Sequence, residues 1–282
     1  MDRLVRTTLT QERTHHPIYS TARLYLPRKE GERGLLNIEE ACREQEETLR
    51  QYFLSKTTGV CLAITKMDSG LTALNLSKGV ESAIVSQNER LVEWKSKSLH
   101  GRFYSQLNEA FIDKERSVEW LKAGRLFSET GGFVVAIQDQ VIATRSYRKR
   151  VFKDATTPDK CRLCSVTLES IQHITGGCGV LAGNEYLQRY NHVAKILHQA
   201  LAVKYSLIED KSPYYKYHPN KLLQKGSLRL YRDKSIITDH TARHNKPNIL
   251  LIDLRKKKAE LIDVGIPNDN NIRSTVGEKL SK

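Results

Sequence analysis

Cys161-Arg-Leu-Cys164, His173 and Cys178 form the pattern C-x2-C-x8-H-x4-C. Two thiolates separated by two residues can grip one metal from a tight turn. The imidazole and the last thiolate would then complete a tetrahedron. Three sulfurs and one nitrogen suit Zn2+ and leave no open coordination position, which is the donor set of a structural rather than a catalytic site. Gly176-Gly177 gives the backbone freedom to turn Cys178 inward. A redox-active C-x-x-C pair is the chemical rival, but no thioredoxin-like βαβ pattern surrounds it. Cys42 and Cys61 stand outside the cluster and are expected to be buried small hydrophobes. Five cysteines, an odd count, argue against a disulfide framework.

A second constellation lies near the C-terminus. Two β-rich runs, Ile249 to Leu254 and Ala259 to Pro267, flank the basic loop Arg255-Lys-Lys-Lys258 and read as a hairpin. A loop over 254–258 would set Asp253 opposite Ala259 and Ile249 opposite Asp263, leaving Asn248 and Asp263 neighbours at one end. Leu261, Asp263 and Gly265 would share a face, with Glu260 on the other. Acidic groups at a hairpin end with a lysine nearby fit Mg2+-dependent phosphodiester cleavage, because hard carboxylate oxygens hold the ion that polarises the phosphate. Asn248 contributes an amide oxygen and no charge, so Mg2+ affinity should fall. The spacing equally fits an ordinary hairpin in which Asp263 ends a strand.

The elements that must position these residues are mainly helical. Asn37 with Glu40 resembles a capping box for a helix running to about Leu54, with Ile38, Cys42, Leu49 and Phe53 at helical spacing. Arg23 to Leu26 suggests a short strand. Helical spacing resumes from about Leu76 to Arg150, with Trp94, Leu99 and Phe103 on one face. Trp120, Leu121 and Leu126 mark another segment. Gly131-Gly132 is expected to break the chain before an apolar helix from Phe133 to Arg145. That helix ends in a basic cluster, Arg145, Arg148, Lys149, Arg150 and Lys153, four of which follow its C-terminus, where cations suit the dipole. Residues 181–205 read as an amphipathic helix, with Tyr186, Tyr190, Val193, Ala194, Leu197, Leu201 and Tyr205 on one stripe.

Composition narrows the partners. The chain has 282 residues, 46 Lys+Arg against 32 Asp+Glu, a formal charge of +14 and 39% hydrophobic residues, enough for a core. Such an excess points to a polyanion. The longest aliphatic runs fall far short of the roughly 20 residues that span a bilayer, and the N-terminus lacks the apolar run of a signal peptide. A soluble intracellular protein with nucleic acid as partner is the expectation, with no membrane and no small-molecule substrate.

In this order, the motifs resemble the region downstream of the polymerase core in non-LTR retrotransposon reverse transcriptase polyproteins that carry a restriction-like endonuclease. Arg23-Leu-Tyr-Leu-Pro-Arg-Lys-Glu-Gly with Arg33-Gly34-Leu35 is similar to the segment after the palm, near the thumb. Trp94, Leu99-His100-Gly101, Trp120-Leu121, Gln138-Asp139-Gln140 and Thr144-Arg145 resemble the helical linker. Cys161, Cys164, His173 and Cys178 match the family's CCHC knuckle in order, with a slightly long Cys-to-His gap. Lys246-Pro247-Asn248, Asp263 and Lys279 or Lys282 fall where the endonuclease carries its Pro-Asp, acidic and lysine positions. The resemblance implies a PD-(D/E)xK-type domain that nicks DNA to prime reverse transcription, in the nucleus.

Two departures stand out: Asn248 replaces the family's Asp, and the sequence given stops at Lys282, inside the region that would form the last helix. No Tyr/Phe-x-Asp-Asp polymerase motif is present. The expected architecture is α+β: a mainly helical first two-thirds, a small zinc knuckle and a truncated α/β endonuclease-like domain. The expected divisions are 1–75 (thumb-like), 76–157 (linker), 158–205 (knuckle and following helix) and 206–282 (degenerate endonuclease). The expected function is binding of DNA or RNA, through Arg28, Lys29 and Arg33 and through Arg145, Arg148, Lys149 and Arg150, with structural Zn2+ and an impaired cleavage site. Alternatives are an active Mg2+-dependent endonuclease, with Asp253 or Asp269 as substitute carboxylate, or a protein-interaction module built on the 181–205 helix.

Overall fold

The computed structural model describes residues 2–30, 33–77, 87–209, 212–237, 239 and 245–281. The chain is mixed α+β and divides into two compact units, 1–142 and 143–282.

Among its described residues the first unit is helical: α1 (Asp2–Gln11), α2 (Ala22–Tyr25), α3 (Ile38–Ser55), α4 (Gly59–Met67), α5 (Gln87–Ser96), α6 (Gly101–Leu107), α7 (Lys114–Val118), α8 (Trp120–Ala123) and α9 (Ser128–Gln138). The cap of α3 forms as its sequence implies, with Asn37 Oδ1 accepting the Glu40 N–H at 3.2 Å. The α3 face is less apolar than its spacing suggested. Cys42 is exposed and Cys61 half-buried, while the residue that α3 buries is Arg50, held to Leu74 O at 2.8 Å.

The strand expected at Arg23 to Leu26 is a helical turn instead. Its core is ionic as well as apolar. Arg23 and Asp139, 1% and 0% exposed, pair at 2.8 Å, and Arg23 also donates to Gln138 Oε1. The guanidinium lies over the rings of Trp94 and Phe103, and Asp139 accepts the Ser20 N–H at 3.0 Å. Ala22, Leu26, Trp94 and Tyr104 close the apolar side. A helical turn lets Arg23 reach inward while Leu24 and Leu26 are also buried, which strand alternation would not permit.

Gly131-Gly132 does not break the chain; both lie inside α9. A Cβ on Gly132 would sit 2.4 Å from the Arg13 carbonyl oxygen, so glycine permits a close backbone approach within the helix. The helix ends at Gln138, and Gln140 at φ 62° turns the chain away. The basic cluster consequently forms its own short helix, α10 (Arg145–Arg150), capped by Thr144 Oγ1 on the Tyr147 N–H. Its cations do not trail the C-terminus of the preceding helix.

The second unit continues with α11 (Gly179–Leu181), α12 (Leu187–Lys204) and α13 (Ile272–Leu280), and π-helical turns at His173–Gly177 and Ala182–Tyr186. Strands β1 (Leu222–Lys225), β2 (Leu228–Arg232), β3 (Ile249–Asp253) and β4 (Lys258–Ile262) form one antiparallel sheet in sequential order. β1 and β2 join through Gly226-Ser227, with Gly226 at φ 58° as a two-residue hairpin requires. The β3–β4 register is one residue tighter than expected: Asp253 pairs with Lys258 and Ile249 with Ile262. Asp253 causes this by accepting the Arg255 and Lys256 N–H groups at 3.0 and 3.1 Å, and Lys257 adopts φ 50°. Ala202 of α12 packs with Leu230, Ile249 and Leu251, flanked by Leu201, Tyr205 and Ile262. The inward stripe is Ala194, His198 and Ala202, whereas Val193 and Leu197 are exposed.

Asp139→Ala should strand the buried Arg23 charge and cost about 3–5 kcal/mol of stability. Chemical denaturation should show the loss, and a change below about 1 kcal/mol would mean the pair is solvated.

Candidate metal centre

The knuckle begins where the chain folds back on itself. Cys161 N–H donates to Thr167 O at 2.8 Å, Ser165 N–H to Cys161 O at 2.9 Å, and Ser165 adopts φ 54°. The Leu163 N–H points at Cys161 Sγ, 3.4 Å away. This turn presents Cys161 and Cys164 together. His173 arrives on the first π-turn and Cys178 just after it. One ligand atom from each of Cys161, Cys164, His173 and Cys178 lies within 4.8 Å of the other three. Cys164 Sγ and His173 Nε2 are 3.3 Å apart. Cys161, Cys178 and His173 are buried, and Cys164 is half-buried.

Two of the thiols are shifted in opposite directions. Backbone N–H groups of Thr167 and Val166 lower the Cys164 thiol to about 6, while burial pushes Cys178 up. A buried thiolate beside other thiolates needs a positive charge among them, and Zn2+ supplies it. The cluster can bind zinc through these four residues as a closed, structural site.

Two further residues brace it. Tyr186 Oη accepts the Cys178 N–H at 3.1 Å and donates towards the carbonyls of Ile174 and His173 at 2.8 and 3.1 Å. A Cβ on Gly176 would fall 3.1 Å from Asn268, whose amide donates to Gln172 O at 2.6 Å. The glycine thus admits the chain before α13 against the knuckle.

Glu169 is the residue that sequence reasoning missed. It is 1% exposed and accepts from the Arg145 N–H (3.0 Å), the Arg162 N–H (2.9 Å) and the Arg162 side chain through Nε and Nη2 at 2.9 and 2.6 Å. Burial by itself would raise its pKa, but the Arg162 and Arg145 hydrogen bonds bring it down to about 2. One carboxylate therefore ties the first residue of α10 to the loop between two metal ligands. No pattern of spacing announces this, because the partners are two backbone amides and an arginine fork.

The expected nucleic-acid contacts divide between the units. In the first, Arg28 donates to Arg33 O and Leu121 O, and Arg33 to Thr14 O, so both hold loops together, while Lys29 is exposed. In the second, Arg145 donates to Lys160 O at 3.1 Å and Lys149 pairs with Asp159 at 3.3 Å, leaving Arg148 and Arg150 exposed.

Three of the four endonuclease-like positions converge; Lys282 lies outside the described residues. Asn248 Oδ1 accepts the Val264 N–H at 2.5 Å, and its amide donates to Tyr190 Oη. Lys279 Nζ reaches Asp263 Oδ2 at 2.5 Å and Val264 O at 2.9 Å. Asn248 thus brackets two elements, and Lys279 neutralises Asp263. The substitute carboxylate Asp253 caps the hairpin turn at the other end of β3. Among the described residues, the Cys161, Cys164, His173 and Cys178 set is the one group of three or more His, Cys, Asp or Glu placed to hold a metal. No described helix is long and apolar enough to cross a membrane.

No family model, curated protein or solved structure matches this chain.

Cys164→Ser should lose stoichiometric zinc and loosen 161–178; zinc retained by that variant, read by elemental analysis, would remove Cys164 from the ligand set. Glu169 is depressed in the folded chain, so its stabilisation is full above its ordinary value of 4.5 and fades as pH falls towards about 2. The stability gap between the native chain and Glu169→Gln should therefore shrink across that window, as followed by urea unfolding at several pH values. A pH-independent gap would contradict it.

Proposed function

We propose that this chain is a zinc-stabilised nucleic-acid-binding module, similar to the C-terminal region of a non-LTR retrotransposon protein, with an endonuclease-like site that has lost its cation. The observation that carries the reading is the link through Glu169. A closed Cys3His cluster is joined by one buried carboxylate to the arginine-bearing start of α10. A structural zinc contributes folding energy, and here that energy would fix the loop that carries Arg162. An excess of fourteen positive charges supports a polyanionic partner.

Cation contacts with a phosphate backbone make affinity fall with salt, with a slope near −0.9 per contact on duplex DNA. They position a strand without reading its sequence. The likeness to the retrotransposon region extends this to DNA or RNA handled in the nucleus.

A second reading, an Mg2+-dependent nicking enzyme, is favoured by the meeting of Asn248, Asp263 and Lys279 at one end of the β3–β4 hairpin. Against it weigh the missing charge at Asn248 and the ion pair that occupies Asp263. A hard divalent ion would have to displace Lys279 and bind through one carboxylate and an amide.

Binding of a labelled oligonucleotide should weaken steeply between about 50 and 200 mM salt. A flat salt response would refute the polyanion reading. On supercoiled plasmid with Mg2+, the native chain should not nick, while Asn248→Asp should gain activity that Asp263→Ala removes. Nicking by the native chain that Asp263→Ala abolishes would instead support the second reading.

A further inference from the structure

A cleft of about 330 Å³ opens beside the knuckle, lined by Arg145, Arg148, Thr156, Thr157, Pro158 and Arg162. Three guanidinium groups from two separate segments meet there. We infer that this cleft is a phosphodiester subsite, in which Arg145, Arg148 and Arg162 grip one backbone phosphate of a nucleic-acid strand. The inference rests on the nucleic-acid reading above and specifies where the strand is held.

The cleft is built before any ligand arrives. Arg162 spends its Nε and one Nη2 donor on Glu169, so of the five N–H donors of a guanidinium three remain. Arg145 spends one side-chain donor on Lys160 O and keeps the rest. Both heads are thus oriented by bonds to buried or backbone acceptors while retaining donors for an anion. Arg148, one turn along α10, is exposed and carries no ion pair among the described residues. The Thr156–Thr157 lining is fixed too. Asp154 accepts from the hydroxyls of Thr156 and Thr157 at 2.6 and 2.5 Å, which commits those protons and leaves the arginines as the donors.

Planar forks at fixed positions suit a tetrahedral phosphate oxygen set better than flexible lysines do. Three acidic groups stand nearby, Glu169, Asp154 and Asp159, and each is occupied by a partner. None of them lines the cleft, whereas three arginines do. The loop between two metal ligands supplies Arg162, so zinc loading and strand binding should be linked. A polynucleotide is favoured over a single phosphorylated group because the exposed Arg150 continues the charge along α10 and would meet a neighbouring phosphate.

The test uses the full zinc-loaded chain and a fluorescent oligonucleotide, single-stranded and duplex, titrated at several salt concentrations. Arg148→Ala should weaken binding roughly fivefold and reduce the salt slope by about 1. Lys225→Ala removes the same charge from the β1–β2 hairpin, away from the cleft, and should change affinity by less than about twofold. A second cleft variant, Arg162→Lys, keeps the charge but loses the fork, and should weaken binding too, with zinc content and unfolding midpoint measured alongside. Chelating the zinc should release the oligonucleotide.

Equal losses in Arg148→Ala and Lys225→Ala would show diffuse charge and overturn the subsite while leaving nucleic-acid binding intact. No oligonucleotide binding by the native chain would overturn both. Arg148-dependent binding to anionic lipid vesicles, with none to oligonucleotide, would also overturn the assignment to a nucleic-acid strand.

Discussion

The carboxylate of Glu169 is the constraint around which the second unit is organised. An ionised group at 1% exposure survives only if the donors around it replace water. Here two backbone amides and a two-pronged arginine do so, holding its pKa at about 2. Each donor belongs to something functional in the proposed reading: one starts the basic helix α10, and the others sit between Cys161 and Cys164. Shifting any of them would leave a buried charge without partners, which costs several kcal/mol. The metal loop and the arginine cleft are therefore fixed together.

The first unit solves a similar problem with a different pair. Arg23 and Asp139 are buried together, and aromatic rings, a glutamine and a backbone amide complete their surroundings. Such a pair adds little net energy over apolar packing, but its geometry allows few alternatives. Arg23 was legible as a basic residue in a polar stretch. Its burial was not, because the partner is 116 residues away, just past the end of α9.

At the hairpin end, Asn248 sets what the neighbours do. An amide both donates and accepts, so Asn248 joins Tyr190 to the Val264 backbone. Lys279 settles on Asp263. The same three positions that could clamp a cation instead form a neutral knot that holds α12, the end of β4 and α13 together. In the proposed reading, loss of cleavage and gain of structural cohesion come from the same substitution.

Residue type and short spacing were enough to read several features from the chain alone. The C-x2-C-x8-H-x4-C set, the α3 cap at Asn37, the long helix near 187–204 and the β3–β4 hairpin all follow from local rules of ligation, capping and periodicity. The Gly226-Ser227 turn carries a local hairpin signal as well. What only the tertiary structure decided were the choices made by distant partners. Asp253 set the hairpin register through two backbone amides, and packing turned Ala194, His198 and Ala202 of α12 inward, Ala202 onto the sheet and His198 onto Tyr217. A backbone carbonyl packed against α9 required Gly132 within the helix, and Glu169 became the hub of the metal loop. These depend on which donor meets which acceptor after folding. Spacing along the chain encodes a residue's neighbours on its own element, but not the group that will satisfy it from another.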